Sequence, residues 1–302
     1  MMKRYRTISC PVAGGKLTAA LWEPELPALG TIMLVHGITA SHMSWPLIAA
    51  AFPQHRVIAP DLRGRGASRT LPAPFGMPQH AADIDALFDA TETASALVVG
   101  HSMGGFVAAT FAAQHPERVS GLVLIDGGLP IPAPEGTSLE ELPQVILGPA
   151  AERLSMTFAD HASYQNFWAQ HPAFEGDFTQ AVRDYVDYDL VGSEPHLHPA
   201  SNIAAVSFDA LQLSGDTRYR AALDTLSMPV HFIRAPRGLL NQVPALYSPE
   251  QCVDWRSELP HVKFHEAPDV NHYTITLAQR GADFVAGVMG ELLANQPREV
   301  RA

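Results

Sequence analysis

Short, largely apolar runs alternate along the chain with stretches of helical period. Residues 31–35, 56–59, 96–99, 121–125, 229–233 and 262–265 read as strands, most of them apolar enough to be buried on both faces. Ahead of them, residues 4–10 and 16–22 read as two edge strands joined by the turn Ala13-Gly14-Gly15. Between the strands, residues 42–53 place Met43, Leu47, Ile48 and Phe52 on one helical face, and residues 79–91 do the same with Ala82, Ile84, Leu87 and Phe88. A small-residue helix follows at 106–113, and a last one carries Leu277, Phe284, Val285, Val288, Leu292 and Leu293. Strands and helices in alternation predict an α/β protein with a mostly parallel, doubly wound sheet and its chemistry at the carboxyl ends of the strands.

The alternation stops after residue 128. From 129 to 225 no strand-like run is evident, and nine aromatics fall between Phe158 and Phe208. Aromatics in helices are mostly core, but this density between two sheet strands also suits a helical cap over an apolar pocket. The expected organisation is a core of residues 1–128 and 226–302 with a cap inserted at 129–225. Prolines cluster at 71–78 and 130–149, which read as loops, the second a linker into the insertion.

Composition narrows the function. The net charge of -11 argues against nucleic acid or an anionic membrane surface as a partner. The two cysteines, Cys10 and Cys252, suggest no disulfide framework and suit a reducing, cytoplasmic compartment. No apolar leader stands at the N-terminus, and no run approaches the roughly 20 residues of a membrane span. No cluster has metal-ligand spacing: His196 and His198 share a proline-containing loop without a third ligand.

The densest chemistry is Gly100-His101-Ser102-Met103-Gly104. This is G-x-S-x-G between an apolar strand and a helix of small residues, where the apex serine is pushed out of the sheet at a helix N-terminus. Glycine flanks the apex because strand and helix nearly touch there. Ser102 is therefore the candidate nucleophile. The strand at 31–35 runs into His36-Gly37-Ile38, and such a loop supplies one oxyanion donor while the residue after the nucleophile supplies the other. The backbone N–H groups of Ile38 and Met103 are the candidates. The segment Asp61-Leu-Arg-Gly-Arg-Gly-Ala-Ser68 fits no phosphate-loop spacing and reads as a structural loop in which Asp61 and arginine fix the backbone.

Taken together, His36-Gly37, Asp61 to Ser68, Gly100 to Gly104 and His272 ahead of the last helix make the chain resemble the α/β-hydrolase superfamily over nearly its whole length. It looks most like the capped esterase, lactonase and carbon–carbon-bond hydrolase branch. The resemblance implies the order serine, acid, histidine, with Ser102 as nucleophile and His272, in the loop after the last strand, as general base. It implies no metal or organic cofactor. The acid departs from the family pattern. The commoner position follows the strand at 229–233, where this chain reads Arg234-Ala-Pro-Arg-Gly-Leu-Leu-Asn-Gln-Val243, without a carboxylate. Asn241 cannot stabilise an imidazolium by charge. Some relatives place the acid one strand earlier, which ranks Asp126 ahead of Glu250.

The expected activity is hydrolysis of a carboxylic ester or lactone with an apolar body through an acyl-enzyme, by a monomer or homo-oligomer. Two alternatives stand beside it. One is cleavage of a carbon–carbon bond in a β-diketone or ring-fission product, with Arg153 and Arg183 available in the cap to grip an acidic substrate. The other is a ligand-binding protein that kept the fold without catalysis. Epoxide hydrolase and dehalogenase chemistry is disfavoured, because the relatives that perform it carry an aspartate where this chain has Ser102.

Overall fold

A computed structural model describes residues 5–131 and 152–294. Its centre is an eight-stranded sheet in the order β1-β2-β4-β3-β5-β6-β9-β10. The strands are β1 (Arg6–Val12), β2 (Gly15–Trp22), β3 (Thr31–Val35), β4 (Arg56–Pro60), β5 (Ala96–His101), β6 (Val119–Ile125), β9 (Val230–Arg234) and β10 (Val262–Glu266). Only β2 runs against the others, being antiparallel to both β1 and β4. The doubly wound expectation holds, and the strand order reverses between β3 and β5. Ligands in such sheets bind at that reversal.

Helices cover both faces. On one side α2 (Met77–Ala90) and α3 (Met103–Gln114) pack Leu87, Phe88, Phe106 and Phe111 onto Met33, Val98 and Leu122 of the sheet. On the other, α1 (Pro46–Ala50) and the C-terminal helix α10 (Gln279–Ala294) pack Ile48, Val285 and Met289 onto Ile32, Leu34 and Val99. α3 is buried nearly all round, so it needs small residues rather than an amphipathic stripe. The helix expected at 42–53 is shorter. Pro46 lacks an amide hydrogen and can only begin a helix, so α1 starts there, after a 3-10 turn at His42–Ser44.

Between β6 and β9 lie α4 (His161–Ala169), α5 (Gln180–Tyr188), α6 (Ile203–Ala210) and α7 (Thr217–Asp224). The segment is not free of strands, as its sequence suggested. Strands β7 (Leu190–Ser193) and β8 (His196–Pro199) form a small antiparallel hairpin. At four residues each, rich in Gly, His and Pro, they lack the β-branched run that announces a strand. The Phe158 and Leu197 backbones exchange hydrogen bonds of 2.7 and 2.9 Å that extend it. Most of the aromatics form the segment's own core: Tyr164, Trp168, Phe174 and Tyr185 pack with Val182 and Val186. The proline-dense stretch expected as a linker lies outside the described residues from 132 onward. The polypeptide resumes its sheet at β9. The helix α8 (Pro249–Glu258) precedes β10, and the short α9 (Thr274–Leu277) precedes α10.

Buried polar contacts fix the loops at the carboxyl edge. Asp61, fully buried after β4, accepts from the backbone and the ring of His42 (2.9 and 2.8 Å), from the Ala67 N–H (2.9 Å) and from the Tyr188 hydroxyl of α5 (2.6 Å). Arg63 forks onto Asp83 of α2. The segment from 61 to 68 is thus a structural loop, as expected.

His36 shows how strictly this edge is specified. Its Nδ1 donates to the Gly37 carbonyl (2.7 Å), and its Nε2 accepts from the Leu62 N–H (2.9 Å). Only the neutral ring can do both. Burial, opposed in part by Asp61, holds its pKa down at about 3. An unfolded histidine titrates near 6.5. Between those values the unfolded chain binds a proton that the native chain refuses, so stability falls as pH drops through that window, by up to about 1.4 kcal/mol per pH unit. Urea unfolding of the wild type and His36→Gln between about pH 7 and pH 5 checks this. The wild type should lose stability more steeply than the variant, and equal slopes would contradict the assignment.

Candidate active site

The tight turn at the end of β5 is built by what glycine lacks. A Cβ on Gly100 would sit 2.1 Å from the Gly104 carbonyl oxygen, and one on Gly104 would sit 2.1 Å from that of Val35. Strand and helix could not meet this closely with side chains present. The apex residue, Ser102, has φ 54° and ψ -126°, a conformation that costs a non-glycine residue about 1–3 kcal/mol and clusters at functional sites. The adjoining strands press on it as well. A Cβ on Gly127 would lie 2.1 Å from the Ser102 carbonyl oxygen, and one on Gly37 would lie 3.1 Å from the Ser102 Cβ.

Ser102 and His272 line one cavity at the carboxyl edge of the sheet. His272 comes from the loop after β10, and its Nδ1 donates to Asp126 Oδ2 at 2.7 Å. That bond leaves Nε2 as the ring nitrogen able to take a proton. Asp126 is fully buried at the end of β6, with φ 42°. Its Oδ1 accepts from the Ala235 N–H at 3.0 Å, and its own N–H donates to the Ile233 carbonyl at 2.7 Å. Glu250 is exposed in the first turn of α8 and is not brought to His272. Asn241, at the commoner acid position, accepts from Arg237 Nε (2.6 Å) and from Asn271 Nδ2 (3.1 Å).

The two oxyanion candidates flank the nucleophile. Met103 opens α3, whose N-cap makes no side-chain hydrogen bond, so no capping side chain competes for the Met103 N–H at this helix N-terminus. Ile38 lines the same cavity from the loop after β3, beside Gly37.

Three further residues shape the site, none of them assigned a part in catalysis from the sequence. His101 donates from Nε2 to the His272 carbonyl (2.9 Å), and its ring lies 4.7 Å from the His272 ring. Burial, then the neighbouring His272, pushes its pKa well below the ordinary imidazole value, so it supports the loop as a neutral donor. Asn271 accepts from the Tyr273 and Thr274 amides (both 3.0 Å) and donates to the Ala173 carbonyl (2.8 Å), pinning the turn that carries His272. Arg65 lies fully buried beside both oxyanion candidates. The only sequence signal for the first two was adjacency to Ser102 and His272.

The rest of the lining is mainly aliphatic, including Ile131, Leu213, Leu239, Leu246 and Leu277, with Tyr185 and Tyr273 among the aromatics. No Lys or Arg lines it among the described residues. The two arginines expected to grip an acidic substrate are occupied elsewhere. Arg153 Nη1 is paired with Asp189 and the Tyr164 hydroxyl, both at 2.5 Å, and Arg183 lies over the Phe178 ring at 4.6 Å. No group of three or more metal-ligating side chains exists among the described residues, and no helix there is long and apolar enough to cross a membrane.

Comparison with known proteins agrees with this architecture. The family model for the alpha/beta hydrolase fold matches residues 30–193. The chain belongs to that family. Lipase LipV of Mycobacterium tuberculosis is 34% identical over 126 residues, which cover 42% of this chain and 46% of the lipase. The cis-3-alkyl-4-alkyloxetan-2-one decarboxylase of Shewanella oneidensis is 27% identical over 263 residues, covering 81% of this chain and 76% of the relative. Among solved structures, that of E-2-(acetamidomethylene)succinate hydrolase superposes with a TM-score of 0.77 at 21% identity, covering 96% of this chain and all of that one.

The geometry makes a sharp demand on Asp126. Asp126→Asn keeps the shape but not the charge, and the amide favours the wrong imidazole tautomer. Steady-state kinetics should show kcat down by about 10⁴ with KM little changed. A loss below about tenfold would count against Asp126 as the acid.

Proposed function

We propose that the protein is a serine hydrolase of uncharged carboxylic esters or lactones. The observation that carries the reading is the hydrogen bond from His272 to the buried Asp126, behind a cavity that Ser102 and His272 share. In this reading the Ser102 Oγ attacks the substrate carbonyl carbon while its proton passes to His272 Nε2. Asp126 holds the ring in the tautomer that accepts there and offsets the charge it gains. The negative charge forms on the carbonyl oxygen, facing the N–H groups of Ile38 and Met103, each worth about 3–4 kcal/mol in such a site. Collapse of this intermediate expels the alcohol, which takes the proton from His272. Water then attacks the acyl-enzyme, loses its proton to His272, and the second collapse returns that proton to Ser102 and frees the acid.

The lining argues for an uncharged, apolar substrate. A carboxylate would enter a cavity with no cation to meet it among the described residues, and residues 132–151 contain no Lys or Arg. Burying such a charge unpaired is costly. This favours an ester or lactone over an acidic ring-fission product, one of the two substrates of the carbon–carbon reading. One relative is named for an oxetan-2-one, which is a cyclic ester. The described part of the segment from 129 to 225, which brings Ile131, Tyr185 and Leu213 to the lining, acts here as the cap.

Hydrolysis of p-nitrophenyl esters of increasing acyl length, by wild type and Ser102→Ala side by side, tests the proposal. Wild type should turn over the neutral esters, with a chain-length optimum set by the pocket. Ser102→Ala should retain no more than the roughly 10³–10⁴-fold residual over water that binding and the oxyanion donors supply. A monoester carrying a free carboxylate on its acyl group should be a poor substrate. Full activity in Ser102→Ala, or preference for the acidic ester, would overturn the reading.

A further inference from the structure

We infer that Arg65 is a positioning residue for the oxyanion site and that Asp209, supplied by the inserted segment, holds it in place. The inference rests on the serine-hydrolase reading and extends it to residues outside the cavity. Arg65 follows β4 and is fully buried. Its guanidinium spends its donors in four directions. Nε donates to the Ile38 carbonyl at 2.8 Å, and Nη1 donates to the Arg63 carbonyl at 2.9 Å and to Asp209 Oδ2 at 2.5 Å. Nη2 reaches the Met103 sulfur at 3.7 Å. One planar cation thus touches both residues whose N–H groups face the developing charge.

The Ile38 contact matters most. Fixing the Ile38 carbonyl fixes the peptide that follows the residue whose own N–H is the donor, and with it the pitch of the loop after β3. The other end of the device is Asp209, at the end of α6. It is fully buried; besides Arg65 it accepts from His80 Nε2 at 2.9 Å and from the Gly76 N–H at 2.7 Å. Each carboxylate oxygen is therefore engaged, and the charge on Arg65 is matched. α6 also packs Val206 and Ala210 against Ile38. The inserted segment and the oxyanion loop are joined through apolar contact and through this buried ion pair. The network lies too deep to touch substrate, so its effect is on geometry. A misplacement of about 1 Å at such a site can cost as much as 10²-fold in rate.

Lysine keeps the charge but not the fork, and one ammonium cannot serve the Ile38 carbonyl and Asp209 in the same planar arrangement. The test compares Arg65→Lys and Asp209→Asn with wild type in three readouts: kcat and KM on a neutral p-nitrophenyl ester, affinity for butylboronic acid, and affinity for a non-reacting ether analogue of the ester. The boronic acid takes the Ser102 oxygen onto boron, passes the serine proton to His272, and leaves an anionic tetrahedral adduct at the oxyanion donors. The ether meets only the pocket. Arg65→Lys should lower kcat by roughly 10- to 100-fold with KM nearly unchanged, and boronate affinity should fall in step while ether affinity stays put. Asp209→Asn should move the same readouts the same way, and it carries the comparison if Arg65→Lys does not fold. The inference is overturned if the folded variants keep kcat and boronate affinity, or if ether affinity falls as far as boronate affinity, which would mark a merely structural role. If wild type binds no boronate, or Ser102→Ala binds it as well, the parent reading fails instead.

Discussion

Everything at this site depends on how closely the backbone of Ser102 can approach the sheet. β5 ends against α3 with no room for side chains at Gly100 or Gly104. Gly37 and Gly127 bring the loops after β3 and β6 onto the same residue. Ser102 is held at positive φ by this crowd of backbone, and the strain is borne by the two apolar cores that sandwich the sheet. Because β3 and β5 flank the reversal in strand order, the loops that leave them open apart and form a cavity rather than a closed edge. A hydroxyl, an imidazole and two candidate amide donors meet there as a consequence of chain topology.

Charge is handled in this region by pairing each buried ion with a partner in another segment. Asp126 joins the loop after β6 to the loop after β10. Asp61 joins the loop after β4 to α5 through Tyr188, and Arg65 joins it to α6 through Asp209. Buried pairs of this kind add little net stability, because desolvation consumes most of the attraction. Breaking one by removing a single partner costs about 3–5 kcal/mol. Their value is that few alternative arrangements satisfy every member. The neutral histidines do similar work: His36 uses both ring nitrogens and His101 its Nε2 on backbone groups, and both remain uncharged because they are buried.

Most of the core was legible along the chain because strands buried on both faces are apolar throughout. The run at 31–35 is strand β3 without a residue gained or lost. The Gly-x-Ser-x-Gly stretch was legible for a related reason: steric exclusion leaves glycine as the only residue that fits. What could not be read depends on partners distant in sequence. Arg65 and Asp209 are 144 residues apart; the loop at 61–68 marked an arginine as structural, but nothing local pointed to Asp209 as its partner. Asn241 held the position where a carboxylate was expected, and only the three-dimensional arrangement shows it bonded to Arg237 and Asn271. The hairpin of β7 and β8 was missed because its strands are short and supported by tertiary pairing with Phe158 rather than by their own propensity.

The central claim is that Ser102 becomes covalently acylated. Intact-mass and peptide measurements on protein quenched with acid during turnover of a slowly deacylated p-nitrophenyl ester test it most directly. The account predicts a mass increase of one acyl group, confined to the peptide containing Ser102 and absent in Ser102→Ala. Sustained turnover with no acylated Ser102 at any time of quenching, or an acyl group on another side chain, would contradict it.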